Sequence, residues 1–143
     1  MSRIDWTIHV FQEKLRSYMA SRLTPALEGR PIRYAEIPTL TVINYMPGCS
    51  IKDICLEIAR DKGVMTNRIQ HLLEIGMVED RSTKKNSYKL YLTEAGRAEF
   101  EYADGLMRQF TDEILVNLTD DERGSFETML KKITQITDCG YTY

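Results

Sequence analysis

Residues 50–81 read SIKDICLEIARDKGVMTNRIQHLLEIGMVEDR and carry the clearest pattern of secondary structure in the chain. Ser50 followed by Asp53 resembles a capping box and predicts a short helix that buries Ile51. Asp61 is a good N-cap for a second helix, and Gly76 is a good terminator for it. The apolar residues of this second helix share one face: Met65, Ile69 and Leu72. Two helices separated by so short a turn predict a helix-turn-helix.

The hydrophobic pattern changes its period after Gly76. Met77–Glu79 and Tyr88–Leu92 are predicted as two strands, joined by the polar segment 81–87. A hairpin that directly follows a helix-turn-helix makes a winged helix, which we place at residues 38–92. The predicted fold class is therefore mainly α, with a small β-hairpin wing.

Helices are also predicted on both sides of this core. Apolar residues from Ile4 to Met19 recur at steps of three and four, which predicts a helix ending near Pro25 or continuing, broken, to Pro31. A further helix is predicted from Pro38 to Pro47. Thr93 is predicted to cap a helix that extends to about Leu118, and residues 119–122 match a capping box that opens the last helix.

Apolar residues on the flanking helices predict a homodimer. A small winged helix could not by itself cover them, and exposing them would leave a large apolar patch. They are Ile8, Phe11, Phe110, Ile114, Phe126 and Ile133. We therefore expect residues 1–143 to form a single domain in which segments 1–37 and 93–143 serve dimerisation.

Polar residues of the second helix of the helix-turn-helix point away from its apolar face. With about 100° per residue, Gly63, Asn67 and Gln70 lie opposite Met65. Asn67 and Gln70 can pair with adenine, and Gly63 allows close approach to DNA. Thr66 is suited to a thymine methyl group or a phosphate, and Lys62 to a phosphate. The alternative is that these are ordinary solvated polar residues, but the hairpin that follows favours DNA contact.

Basic residues of the predicted wing suggest a phosphate clamp. Lys84 and Lys85 are adjacent at the turn, and Arg81 lies at its start. Each phosphate that such residues neutralise releases counterions from DNA. Arg60 and Lys89 are weaker members of the same group. The alternative is a solvated surface that keeps an edge hairpin from aggregating.

The composition of the chain limits the possible functions. The 143 residues carry a net charge of −2, yet residues 50–92 hold 8 basic and 6 acidic side chains, so a basic face is compatible with an acidic total. No apolar run approaches the ~20 residues that span a bilayer, so we expect a cytoplasmic protein with no membrane partner. No phosphate-binding loop, metalloprotease motif or catalytic triad is found, and we expect neither an enzyme nor a cofactor.

Cysteine and histidine are few. Three cysteines without a C-x-x-C pair and two histidines exclude a disulfide framework and argue against a metal site. Cys55 is predicted to lie in the core, whereas Cys49 and Cys139 are expected to be accessible. Redox activity of Cys49 or Cys139 stays open. His9 and His71 are predicted to be surface or interface residues.

The order of these elements resembles the MarR family of bacterial transcription regulators. The specific match runs from Ser50 to Arg97 and includes LTEAGR at residues 92–97, which is similar to the family's leucine-threonine-x-x-glycine signature. Two positions depart from the family pattern. Lys84 and Asn86 stand where an Asp-x-Arg element is usual, and Ala59 stands where glycine is common.

The resemblance implies a dimer that binds double-stranded DNA at a pseudo-palindromic operator and represses transcription. It also implies a small lipophilic or phenolic effector, bound between the dimer helices and the winged helix. The rival hypothesis is a winged-helix protein-interaction module that has lost tight DNA binding. The missing wing arginine and the net charge of −2 favour this rival, while the pattern of the second helix and the paired lysines oppose it.

Overall fold

The computed structural model describes residues 3–85 and 87–136, which divide between Ala35 and Glu36 into two compact units. The first unit contains helix α1, Arg3–Ala26. The helix ends one residue after Pro25, so the predicted end near Pro25 is confirmed and the alternative of a continuation to Pro31 is wrong. Leu23 is buried, whereas Ile4, Trp6 and other apolar residues of the helix are exposed. None of the described helices is long and apolar enough to cross a membrane.

The second unit begins with the three helices of the helix-turn-helix region. They are α2, Ile37–Tyr45; α3, Ile51–Ile58; and α4, Lys62–Glu74. A short 3₁₀ turn, Tyr34–Glu36, precedes α2, which begins one residue before Pro38 rather than at it.

The capping residues predicted for α3 and α4 are confirmed. The Ser50 hydroxyl accepts from the N–H of Asp53 at 3.2 Å, and the Asp53 carboxylate accepts from the N–H of Ser50 at 2.8 Å. The N–H of Ser50, followed by its hydroxyl, holds the pKa of Asp53 below its usual 3.8. The Asp61 carboxylate accepts from the N–H of Val64 at 2.9 Å. Both helix starts are therefore set by local sequence.

The turn between α3 and α4 contains the strained residue of this unit. Ala59 ends α3 in the left-handed conformation with φ of 49°. The left-handed conformation destabilises a residue with a Cβ by about 1–2 kcal/mol, a cost that glycine largely avoids. This explains in physical terms why glycine is favoured at such a position.

The core of the unit lies between α2, α3 and α4, which pack on one another. The predicted apolar face of α4 is confirmed, because Met65, Ile69 and Leu72 are fully buried. Leu40 and Ile43 of α2 and Ile54 of α3 are buried as well. Since one side of α4 is committed to this core, its opposite side faces outward.

The wing consists of two antiparallel strands, β1, Val78–Asp80, and β2, Leu90–Leu92. Val78 pairs with Leu92 and Asp80 with Leu90. β1 has the predicted length but begins one residue later, whereas β2 is shorter than predicted because Tyr88 and Lys89 lie before it. An isolated bridge joins Leu90 to Cys49, so β2 is also tied to the segment after α2.

The second unit ends with two helices, α5, Glu94–Ile114, and α6, Asp120–Ile136. Helix α5 stops four residues before the predicted end at Leu118. The capping box of α6 is confirmed, because the Glu122 carboxylate accepts from the N–H of Thr119 at 2.8 Å. Phe110 is buried within the chain, so the prediction that it needs a partner chain to cover it is wrong.

The Thr93–Gly96 segment fastens α5 to the wing. The Thr93 hydroxyl accepts from the N–H of Gly96 at 3.0 Å and donates to the carbonyl of Gly76 at 2.6 Å. The N–H of Thr93 donates to the carbonyl of Met77 at 3.1 Å. A Cβ added at Gly96 would lie 1.8 Å from that same Met77 oxygen. The LTEAGR segment is thus a packing motif in which threonine caps and glycine permits close contact.

Candidate DNA interface

Five of the eight predicted DNA-contacting residues lie on α4, and the structure brings them to one side of it. Four of these are exposed, namely Lys62, Gly63, Asn67 and Gln70. Thr66 is half-buried, and its hydroxyl donates to the carbonyl of Lys62 at 2.7 Å. Thr66 can therefore offer DNA a methyl group and an acceptor oxygen, while its proton stays on the helix.

Gln70 is linked to the wing. Its Nε2 donates to the Tyr88 hydroxyl at 3.3 Å. Sequence reasoning missed Tyr88, because the pattern of residues 88–92 predicts a strand and gives no separate role to the tyrosine side chain. The available signal was an aromatic residue shortly after the lysine-bearing turn.

A second group of polar contacts lies behind α4. Glu36 is buried, and its carboxylate meets His71 Nδ1 at 2.5 Å. Thr39 is also buried, and its hydroxyl oxygen accepts from Arg68 Nη1 at 3.4 Å. His71 is half-buried and contacts Glu36, a pairing that its prediction as a surface or interface residue did not include. Glu36 had no sequence signal, because a buried acid and its partner 35 residues away share no local pattern.

The three wing residues lie in two different environments. Lys84 and Lys85 are exposed at the turn, and neither side chain has an ion-pair partner among the residues that the structure describes. Asn86 lies outside the described residues. Arg81 Nε donates to Glu79 at 2.9 Å, and the guanidinium lies 4.1 Å from the centre of the Tyr91 ring. Arg81 is therefore held at the base of the wing by its contacts with Glu79 and Tyr91, whereas the two lysines have no such contacts with any described residue.

The path of the wing loop is set by Asp80. One oxygen of its carboxylate accepts from the N–H of Ser82 at 2.9 Å and from the N–H of Lys89 at 3.0 Å. Burial by itself raises the pKa of Asp80, but these N–H donors and the Ser82 hydroxyl outweigh it and keep the pKa below 3.8. Asp80 is thus ionised at neutral pH and ties the two ends of the loop together.

The two cysteines that the structure describes lie in the core. Cys49 and Cys55 are free and buried, so the expectation that Cys49 is accessible is wrong. Burial, followed by the charge of Asp53, raises the pKa of Cys49 to about 11. A thiol with such a pKa is protonated at neutral pH and reacts slowly with oxidants. Cys139 lies outside the described residues. Among the described residues, no group of three or more His, Cys, Asp or Glu side chains could hold a metal ion.

The sequence is similar to those of two bacterial regulators. It is 30% identical to the HTH-type transcriptional regulator BilQ of Clostridium symbiosum over 93 residues, which are 64% of this chain and 65% of BilQ. It is 29% identical to the HTH-type transcriptional regulator YwhA of Bacillus subtilis over 99 residues, 67% of this chain and 70% of YwhA. The match thus spans slightly less than two thirds of BilQ. No protein-family model matches the chain.

Solved MarR structures have the same fold. A MarR protein from Peptoclostridium difficile covers 94% of this chain with a TM-score of 0.82 and 20% identity, aligned over 90% of its own length. A cysteine-to-serine mutant of MarR from E. coli, solved with operator DNA, covers 91% of this chain and 92% of its own with a TM-score of 0.73 and 26% identity. A MarR family protein from Mycobacterium tuberculosis, solved with salicylic acid, covers 93% of this chain and 97% of its own, with a TM-score of 0.71 and 21% identity.

Proposed function

We propose that this chain, which is similar in sequence to HTH-type transcriptional regulators and has the fold of solved MarR structures, is a homodimeric repressor of the MarR family that binds a pseudo-palindromic DNA operator. Proteins of this family regulate transcription and are not enzymes. The observation that carries the proposal is the division of α4 into a buried face with Met65 and Ile69 and an exposed polar face with Asn67 and Gln70. A recognition helix needs this division, because one face must pack and the other must enter the major groove.

The residues of α4 have distinct roles in this proposal. Asn67 and Gln70 read base edges, since the amide of each can donate to and accept from adenine. Gly63 lets the backbone approach the groove, and Thr66 contacts a thymine methyl group or a phosphate. Lys62, at the start of the helix, binds a phosphate. These contacts fix both the register of the protein and the preferred sequence.

The wing binds the DNA backbone in the same proposal. Lys84 and Lys85 are exposed and free to neutralise phosphates. Arg81 binds a phosphate from the base of the wing, where Glu79 uses part of its donor set. A guanidinium has five N–H donors, so the contact with Glu79 leaves others for an anion. The winged helix, residues 38–92, is the DNA-binding part.

A binding-site selection on the parent protein and on two variants tests whether α4 reads bases. Asn67→Ala should relax the preference at one base pair in each half-site, with a cost there of about 1–3 kcal/mol. Asn117→Ala is the matched control, because Asn117 is also exposed but follows α5. An unchanged motif in Asn67→Ala would show that the wrong face of α4 has been assigned. Absence of any salt-dependent DNA binding in a gel shift would instead favour the protein-interaction module.

Exposed apolar side chains support the dimer. On α1, Ile4, Ile8 and Phe11 are exposed, and on α6 Met129 and Ile133 are exposed. Soluble monomers rarely leave such stripes uncovered. We assign segments 1–37 and 93–143 to dimerisation. Light scattering at micromolar concentration should return twice the chain mass of 16.6 kDa, and a value near 16.6 kDa would contradict the proposal.

A small-molecule effector is the third part of the proposed function. The solved relative bound to salicylic acid supports a small lipophilic or phenolic anion as ligand. We propose that it binds this protein and weakens operator binding in the cytoplasm. A gel shift with salicylate added to the operator complex should show release of DNA, and a complex that persists at every concentration would argue against this ligand class.

A further inference from the structure

The hydrogen bond between Gln70 and Tyr88 joins the helix that reads DNA to the wing that holds it. Gln70 Nε2 and the Tyr88 hydroxyl are 3.3 Å apart, although 18 positions separate the two residues in sequence. Gln70 is exposed, while Tyr88 is half-buried. The bond therefore lies at the surface where α4 and the wing approach each other, next to the polar face of α4.

Both ends of this bond are attached to rigid parts of the fold. Gln70 follows Ile69, which is fully buried on the core side of α4. Tyr88 precedes Lys89, whose N–H donates to Asp80 and whose carbonyl accepts from the N–H of Arg81 at 2.9 Å. The phenol is consequently held in a defined position relative to α4. It is a fixed partner for an otherwise flexible side chain.

The hydrogen bond to Tyr88 leaves part of the Gln70 amide available for DNA. The Gln70 amide has two N–H donors and one carbonyl acceptor, and Tyr88 occupies one N–H. One N–H and the carbonyl oxygen remain, which are the two groups needed for adenine N7 and N6. A glutamine that is already oriented loses less rotamer freedom when it binds a base. The Tyr88 phenol thus restrains the Gln70 amide and leaves available the two groups that would bind adenine.

We propose that Tyr88 is a specificity-determining positioning residue, whose hydroxyl orients the Gln70 amide toward one base pair of the operator. This inference rests on the proposed DNA-binding function and adds a residue of the wing to the reading of bases. The wing then has two separable roles. Its lysines bind phosphates regardless of sequence, whereas Tyr88 acts on sequence through Gln70.

Tyr88→Phe removes the hydroxyl and keeps the ring. Loss of one hydrogen bond should weaken binding to the preferred operator by about two- to tenfold. Binding to unrelated DNA should stay unchanged. In a binding-site selection, Tyr88→Phe should relax the same base pair that Gln70→Ala relaxes. Tyr91→Phe is the matched control, because it removes a hydroxyl from the same segment of the wing and should leave the motif intact.

The double variant Gln70→Ala/Tyr88→Phe separates positioning from direct contact. If Tyr88 acts through Gln70, adding Tyr88→Phe to Gln70→Ala should cause no further loss of operator affinity. Additive losses, or an unchanged motif in Tyr88→Phe, would overturn the inference. Equal losses on operator and unrelated DNA would overturn it too, because they indicate a merely structural role. If the parent protein selects no motif at all, the proposed DNA-binding function fails first and the inference falls with it.

Discussion

Gly96 offers a direct test of how the wing is attached to α5. An added Cβ would lie 1.8 Å from the Met77 carbonyl oxygen and 2.8 Å from its carbon. Both atoms belong to the backbone, so no flexible side chain can move aside. Gly105 is the matched control in the same helix, because an added Cβ there meets nothing within 4 Å.

Two terms of opposite sign decide the effect of Gly96→Ala. Replacing a helical glycine by alanine gains about 1 kcal/mol from helix propensity. Forcing α5 away from Met77 costs about 1–3 kcal/mol as overpacking. It also weakens the 3.1 Å hydrogen bond from the Thr93 N–H to Met77, which contributes about 1 kcal/mol. We therefore expect Gly96→Ala to lower the free energy of unfolding by about 2 kcal/mol and Gly105→Ala to raise it by up to about 1 kcal/mol.

Urea unfolding followed by circular dichroism measures both changes. All proteins should be compared at one protomer concentration, because the stability of a dimer depends on concentration. Gly96→Ala should also weaken operator binding, since the wing must shift with Met77. Equal stability of the two glycine variants would contradict this prediction, because the approach of α5 to the wing would then be loose enough to admit a methyl group.

Three further predictions concern the helix-turn-helix and the wing. Ala59→Gly should raise the free energy of unfolding by about 1 kcal/mol by relieving the left-handed strain, and an unchanged urea midpoint would contradict this. Replacing Lys84 and Lys85 together by alanine should reduce the slope of log K against log salt by about one per lost phosphate contact, whereas Lys132→Ala should not change it. Asp53→Asn should destabilise the protein at neutral pH. Because the folded pKa of Asp53 lies below 3.8, its contribution is present above that value and is lost as pH falls through the folded pKa, so unfolding curves of parent and variant should converge in acid.

Local patterns predicted the helix-turn-helix well. Ser50 and Asp61 cap their helices as expected, and the spacing of Met65, Ile69 and Leu72 identified the buried face of α4. These features succeed because capping and amphipathic periodicity depend on residues within one or two turns of each other. The exposed polar face of the same helix follows from them without any knowledge of the tertiary structure.

Contacts between distant segments could not be predicted in the same way. Phe110 belongs to an amphipathic stripe, but periodicity does not tell whether its own chain or a partner chain covers it; here its own chain does. Cys49 follows a proline-glycine turn, which suggested exposure, yet its segment pairs with β2 and the thiol is buried. In both cases the local element was predicted correctly, but packing against distant segments decides whether the side chain is buried.

The candidate site depends on residues that need not touch DNA. Glu36 is buried, and a buried polar side chain without a hydrogen-bond partner is unfavourable, so its contact with His71 restrains the inner side of α4. Tyr88 restrains Gln70 on the outer side. Asn67 and Gln70 can discriminate between bases only if the helix that carries them is held at a definite angle. Sequence reasoning proposed the groups that would read bases, because their chemistry is visible in the residue type. It could not predict the contacts proposed to orient them, because those contacts join residues separated by 18 and 35 positions.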